Sequence, residues 1–130
     1  MKMVIGGAFQ GKTHYAARVF SLAEDDFIDG AKCSTKELYR CRAVKHFHEY
    51  IRRMVSDGID LSDFAAELIE KNPDIVIVTN ELGYGVVPMD AMDRKVRETD
   101  GRICEALAAF SNEVHRVSCG LGIVIKKTAE

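Results

Sequence analysis

Residues 2–13, KMVIGGAFQGKT, decide how the chain is read. Lys2 to Ile5 is a short apolar run that suits a buried strand. It leads directly into Gly6-Gly7-Ala8-Phe9-Gln10-Gly11-Lys12-Thr13, which fits the pattern G-x-x-x-x-G-K-[ST]. Downstream, Ala16, Val19, Phe20 and Ala23 recur at helical spacing, so a helix with one buried face is predicted from Lys12 to about Ala23. Strand, glycine loop and helix in this order form the setting in which such a loop cradles phosphate.

The chemistry explains the residue types. A nucleoside triphosphate leaving water needs many donors aimed at one point. Backbone N–H groups from about Ala8 to Thr13 would converge there, with Gly6 and Gly11 allowing the turn and the close approach. The positive end of the following helix adds to them. Lys12 is expected to reach the β- and γ-phosphates, and the Thr13 hydroxyl to ligate Mg²⁺. The loop does not say whether the phosphoryl group goes to water, to a small molecule or nowhere. An acidic residue after a second strand normally completes the magnesium site, and Asp29 and Glu81 are the two candidates.

The bulk composition narrows the class. With 130 residues, 47% of them apolar, and charges of both signs summing to −2, the chain suits one soluble globular domain over residues 1–130. The charge balance does not suit a nucleic-acid partner, which calls for a basic surface. No stretch approaches membrane-spanning length, and the N-terminal apolar run is cut too early by Gly6 and Gly7 for a signal peptide. Cys33, Cys41, Cys104 and Cys119 form no C-x-x-C pair, which fits a reducing cytoplasm. Cys119, in an expected core strand, reads as a small buried hydrophobe.

Phe27-Ile28-Asp29 is a short strand candidate closed by Gly30. Ser34 and Glu37 form a capping-box pattern, and Leu38, Cys41, Val44, Phe47, Ile51, Met54 and Val55 then step by three and four, so one long helix is expected to Val55. On it His46 and His48 would lie on different sides, poor geometry for a shared metal. Gly58 ends that helix. Asp60 can cap a shorter one with Phe64, Ala65, Leu68 and Ile69 inward, stopped by Asn72-Pro73. Ile75-Val76-Ile77-Val78 is a continuous β-branched run, as in a central parallel strand covered on both faces. A helix from about Ala91 to Phe110, with Val96, Ile103, Leu107 and Phe110 inward, precedes two short strands at Val114–Cys119 and Ile123–Ile125. Strands alternating with helices predict an α/β fold with a mostly parallel, doubly wound sheet flanked by helices.

After the central strand comes VTNELGYGVVP, residues 78–88, which sets Asn80 and Glu81 at the carboxyl end of the strand, where ligands bind in such sheets. This segment and GGAFQGKT closely resemble the two signatures of the cobinamide kinase / cobinamide-phosphate guanylyltransferase family of vitamin B12 assembly. Arg94, Arg97, Gly101 and Arg102 fall where that family's helix has arginines and a glycine, and EVHRVSCGLGIVIK resembles its final strand and tail. The resemblance implies a P-loop NTPase-like sheet and a kinase that uses ATP or GTP with Mg²⁺ on the aminopropanol hydroxyl of adenosylcobinamide, a corrinoid. It also implies a transferase step that adds GMP through a guanylylated histidine, and assembly as a homo-oligomer.

The kinase step maps onto Lys12 and Thr13, with Asn80 and Glu81 beside the acceptor; Glu81 reads as its base or as a residue near the magnesium, and Arg94, Arg97 and Arg102 read as phosphate contacts or as a solvated helix face. The histidine maps in two ways. If Phe27-Ile28 and Glu37-Leu38 are the family's strand and helix before it, the count reaches Lys45, with His46 one residue later as the carrier. If Phe27-Ile28-Asp29 is instead the family's later acidic strand, Asp29 belongs to the magnesium site and no carrier is left. The chain is shorter than the family usually is, which implies a strand–helix portion missing from the middle. Two other readings stay open: a nucleotide-binding module of this fold without transfer chemistry, and a P-loop kinase for another small alcohol.

Overall fold

A computed structural model describes residues 1–82 and 90–128. In chain order its elements are β1 (Lys2–Gly6), α1 (Lys12–Val19), β2 (Phe27–Asp29), α2 (Thr35–Leu38), β3 (Ala43–Lys45), α3 (Phe47–Ser56), α4 (Phe64–Lys71), β4 (Val76–Asn80), α5 (Ala91–Phe110), β5 (Glu113–Ser118) and β6 (Leu121–Lys127). Among the described residues they form one six-stranded sheet in the order β2-β3-β4-β1-β5-β6. The first five strands are mutually parallel, and β6 returns antiparallel along β5.

Burial on both faces explains the apolar strand sequences. Met3, Val44, Ile77 and Val114 belong to a core built with Phe47, Tyr50 and Ile51 of α3, Phe64 and Leu68 of α4, and Val96, Ile103 and Leu107 of α5. Their neighbours Val4, Ala43, Val76 and Val78 belong to a second core with Tyr15 and Ala16 of α1. Period-two alternation sorts each strand between two helical layers, which is the doubly wound arrangement expected from the sequence.

The middle of the chain departs from expectation. The capping box is real: Glu37 N–H donates to Ser34 Oγ (3.1 Å) and Ser34 N–H to Glu37 Oε1 (3.0 Å). The helix it starts lasts one turn, because the Asn72 side-chain amide donates to the carbonyls of Leu38 and Cys41 (3.0 and 2.9 Å) and ends it there. Ala43–Lys45 then slots between β2 and β4 as a strand, and His46, at φ 56, turns the chain into α3. The apolar steps of three and four were a strand's two faces set between two helices, so the expected single helix from Ser34 to Val55 is replaced by α2, β3 and α3.

Smaller departures have local causes. The first helix stops at Val19, and its buried face is Tyr15 and Ala16, while Val19 and Ala23 are exposed. Asp63, rather than Asp60, sits at the N-terminus of α4; Asp60 instead accepts from the Ser62 amide and hydroxyl in a local turn. Phe110 is 46% exposed at the end of α5. Cys119 is exposed at φ 53 in the β5–β6 turn, so it is not a core residue.

One buried acid gives the fold a pH dependence. Asp100 is 4% exposed on α5, with the Cys104 thiol 3.8 Å away, and burial pushes its pKa up to about 6, against the pull of the thiol contact and of Arg52. A carboxyl with a raised folded pKa favours the folded state below its unfolded value near 3.8, and that contribution is lost as pH rises through 6. Asp100→Asn is therefore expected to raise the melting temperature at pH 8 by several degrees, on the order of 2 kcal/mol, with the gain vanishing near pH 4. Thermal unfolding of both proteins across that range checks it.

Candidate active site

The parallel register carries the carboxyl ends of the strands to one edge. Gly6 is level with Asn80, and Asp29 with Lys45. The phosphate loop starts where β1 ends, and Gly6 is required there: a Cβ at its φ of 154 would stand 2.5 Å from the Val117 carbonyl oxygen of β5. Gly11 takes a left-handed conformation (φ 80) as the cap of α1. Lys12 follows, its side chain buried and its Nζ donating to the Gly7 carbonyl at 2.6 Å. Burial lowers its pKa, opposed by the charge of Glu81.

The β5–β6 turn braces this loop. Gly120 N–H donates to the Gln10 carbonyl (2.9 Å) and Cys119 N–H to Gln10 Oε1 (2.6 Å). The loop is thus held at its middle as well as at its two ends.

A cavity of about 830 Å³ opens beside the loop, of the size that nucleotides and similar ligands occupy. Ala8 to Thr13 form one wall. Val78, Thr79 and Asn80 from β4 and Lys45, His46, His48 and Glu49 from the β3–α3 junction form the other. The junction is pinned by Gly30, where a Cβ would collide with the His46 carbonyl. Its two histidines differ. His46 is exposed, and its Nδ1 lies 3.1 Å from Asp29 Oδ1. His48 is 6% exposed, and its Nδ1 accepts the Asn80 N–H at 3.2 Å. Desolvation pushes the His48 pKa down to about 4, with Lys12, His46 and Arg52 acting in the same direction and Glu49 against.

The residues expected from the sequence fall into two groups. Gly11, Lys12, Thr13, His46 and Asn80 face the one cavity. Asp29 stands behind His46: its Oδ1 also accepts from Ala31 N–H (2.9 Å), and these bonds hold its pKa down although partial burial alone would raise it. Glu81 is anchored through its N–H to the Gly6 carbonyl (2.9 Å), and its carboxylate accepts from Arg116 of β5 at 3.1 Å. Arg97 pairs with Asp93 at 3.6 Å, and Arg94 is exposed on α5. Arg102 lines a separate cavity of about 490 Å³ with Asp60 and Lys95. Gly83 to Pro88, the rest of the second glycine signature, lies outside the described residues.

Sequence reasoning missed His48, Glu49 and Arg116. Reading β3 as helix put His48 on an arbitrary face, and the Phe47-His48 step next to a strand end was the signal that could have found it. Among the described residues no group of three or more His, Cys, Asp or Glu could hold a metal. Mg²⁺ takes one or two protein oxygens and completes its shell with phosphate and water. The Thr13 hydroxyl, in the first turn of α1 at the cavity wall, fits such a role.

A mostly parallel sheet whose central strand runs into G-x-x-x-x-G-K-T, with a cavity at its carboxyl edge, defines an α/β protein of the phosphate-loop class. The profile of cobinamide kinase / cobinamide phosphate guanyltransferase matches residues 56–125, more than half of the chain, and the protein belongs to that family. It is 46% identical over 52 residues to the bifunctional adenosylcobalamin biosynthesis protein CobU of Escherichia coli (strain K12), and 44% identical over 52 residues to that of Salmonella typhimurium. Each match covers 40% of this chain and only 29% of the relative. No helix among the described residues is long and apolar enough to cross a membrane.

Loss of the brace on the phosphate loop has a measurable consequence. Gln10→Ala removes the acceptor of the Cys119 N–H, and its nucleotide affinity should fall about three- to tenfold with little change in melting temperature. Titration calorimetry with Mg²⁺–GTP beside thermal melts checks both parts.

Proposed function

We propose that the chain is a nucleotide-dependent kinase that phosphorylates the aminopropanol hydroxyl of adenosylcobinamide, with ATP or GTP as donor. The observation that carries this reading is the single cavity in which the phosphate loop, Lys12, Thr13 and Asn80 converge. On nucleotide binding, Lys12 Nζ would leave the Gly7 carbonyl for the β- and γ-phosphate oxygens, and the loop amides would complete the cradle. Mg²⁺, held by Thr13 and phosphate oxygens, would neutralise charge on the phosphates. The acceptor oxygen bonds to the γ-phosphorus as the bond to the β-bridging oxygen breaks, and Glu81 takes the hydroxyl proton. Arg116 pairs with the Glu81 carboxylate and holds it at this edge. Most of the rate would come from alignment and charge neutralisation.

A second activity, GMP transfer, is favoured by the hydrogen bond between His46 and Asp29. The two registers that competed in the sequence meet here, since Asp29 ends β2, His46 directly follows β3, and the two side chains touch. A carboxylate on Nδ1 fixes the ring with its proton there and leaves Nε2 as the nucleophile, the role such acids play toward histidines elsewhere. Nε2 would attack the α-phosphorus of GTP and expel pyrophosphate, and the phosphorylated corrinoid would then take the GMP. Asp29 is accordingly better employed in orienting His46 than as a metal ligand.

Incubating the protein with Mg²⁺, adenosylcobinamide and GTP labelled at the γ- or α-phosphate tests both steps. Label from the γ-position should reach the corrinoid, and Lys12→Ala should reduce this by at least a thousandfold; unchanged turnover in that variant would sink the kinase reading. Label from the α-position should be acid-labile on the wild-type protein and absent from His46→Asn. Binding without either transfer would identify a nucleotide-binding module, and turnover that adenosylcobinamide does not stimulate would identify a kinase for another alcohol.

A further inference from the structure

His46 and His48 are held in opposite tautomers, and we propose that His48 is a ligand-binding residue whose Nε2–H donates to a phosphoryl oxygen of the bound nucleotide. The inference rests on the nucleotide reading above and adds a contact to it.

The hydrogen-bond partners fix the protons. His46 Nδ1 faces a carboxylate oxygen, which can only accept, so Nδ1 carries hydrogen. His48 Nδ1 faces the Asn80 backbone N–H, which can only donate, so Nδ1 is bare and the neutral ring carries its hydrogen on Nε2. This lock is rigid because Asn80, half-buried, is the last residue of β4 and His48, buried, lies in the first turn of α3. His48 therefore cannot present a nucleophilic Nε2 without setting two hydrogens against each other at Nδ1. His46 can, and the two rings divide the work of one cavity between them.

Nε2–H of His48 is a donor with only a loose partner. Glu49 Oε1 is 3.4 Å away, and its side chain is 40% exposed. The ring stands in a cavity whose lining offers Lys12, Lys45 and the residues of the glycine loop to anionic oxygen, with the carboxylates of Glu24 and Glu49 elsewhere on the same lining. Glu49 and Arg52 from α3, His46 at its cap and Lys12 from α1 are the charged or titratable groups that act on it. Burial keeps the ring uncharged at neutral pH, so it can offer a hydrogen bond to phosphate without becoming a competing acid, as a neutral imidazole donor does in other enzymes.

Two substitutions separate this role from a structural one. Asn places an oxygen where Nδ1 was and keeps the bond from Asn80 N–H but offers no Nε2–H; Gln places an amide N–H near Nε2 and gives up the bond to Asn80. Binding of Mg²⁺ with a GTP analogue carrying methylene between the α- and β-phosphorus is measured by calorimetry. His48→Asn should bind about tenfold more weakly, the scale of one lost hydrogen bond to a charged oxygen, and His48→Gln should stay within about threefold of wild type. The reverse ranking, or equal affinities, overturns the proposal and makes His48 a strut between α3 and β4. An effect seen with adenosylcobinamide phosphate and not with the analogue also overturns it. If either variant unfolds, long-range ¹⁵N–¹H spectra of the wild-type rings decide: His48 must be the Nε2–H tautomer from pH 5.5 to 8, with its Nε2 signal moving on addition of the analogue. A bare Nε2 on His48, or an unmoved signal at saturation, contradicts the assignment. Failure of the wild-type chain to bind the analogue at all would instead remove the nucleotide reading on which the proposal stands.

Discussion

Parallel pairing of β1 with β4, from Lys2 opposite Val76 to Gly6 opposite Asn80, is the constraint on which the rest of the structure depends. Because both strands run the same way and end level, the phosphate loop leaving β1 and the Asn80-Glu81 step leaving β4 emerge side by side. The Glu81 N–H bonded to the Gly6 carbonyl closes that junction. Burial of both sheet faces between α1 and the α3–α5 layer then makes the register hard to shift, since a one-residue slip would exchange the two cores.

The same logic operates one strand over. β2 and β3 also run parallel and end level, and this puts Asp29 against His46. Neither residue is informative alone in the sequence, because a short strand ending in Asp and a histidine among polar neighbours are both commonplace. Their meaning comes from pairing across a separation of 17 positions, together with Gly30, which allows the His46 backbone to pass close by. The β5–β6 hairpin contributes from the other side by holding Gln10. The candidate site is thus assembled from four strand ends and one turn, each fixed by main-chain geometry.

What the sequence disclosed follows the range of the forces involved. The phosphate loop is a local motif, the β-branched run of β4 is a local pattern, and α5 carries its own Asp90 cap, so these were legible without a structure. β3 was not. Its three residues are too few to display alternation, and what makes them a strand is the pair of edges offered by β2 and β4, far away in the chain. His48 was lost with it, because its bond to Asn80 spans 32 positions. Arg116 was invisible for a similar reason, since nothing in EVHRVS marks which side chain will meet Glu81. Cys119 failed through turn chemistry: the strand ended one residue earlier, and a left-handed turn took the cysteine to the surface.

The phosphate loop and the β3–α3 junction wall one cavity, so a nucleotide held there as proposed must engage both. Backbone amide shifts followed by NMR during titration with Mg²⁺–GTP test it most directly. Residues 8–13 and 45–49 should respond together, along one saturation curve with one dissociation constant. Movement confined to the loop while 45–49 stay still, or a response centred on the separate cavity around Asp60 and Arg102, would contradict it.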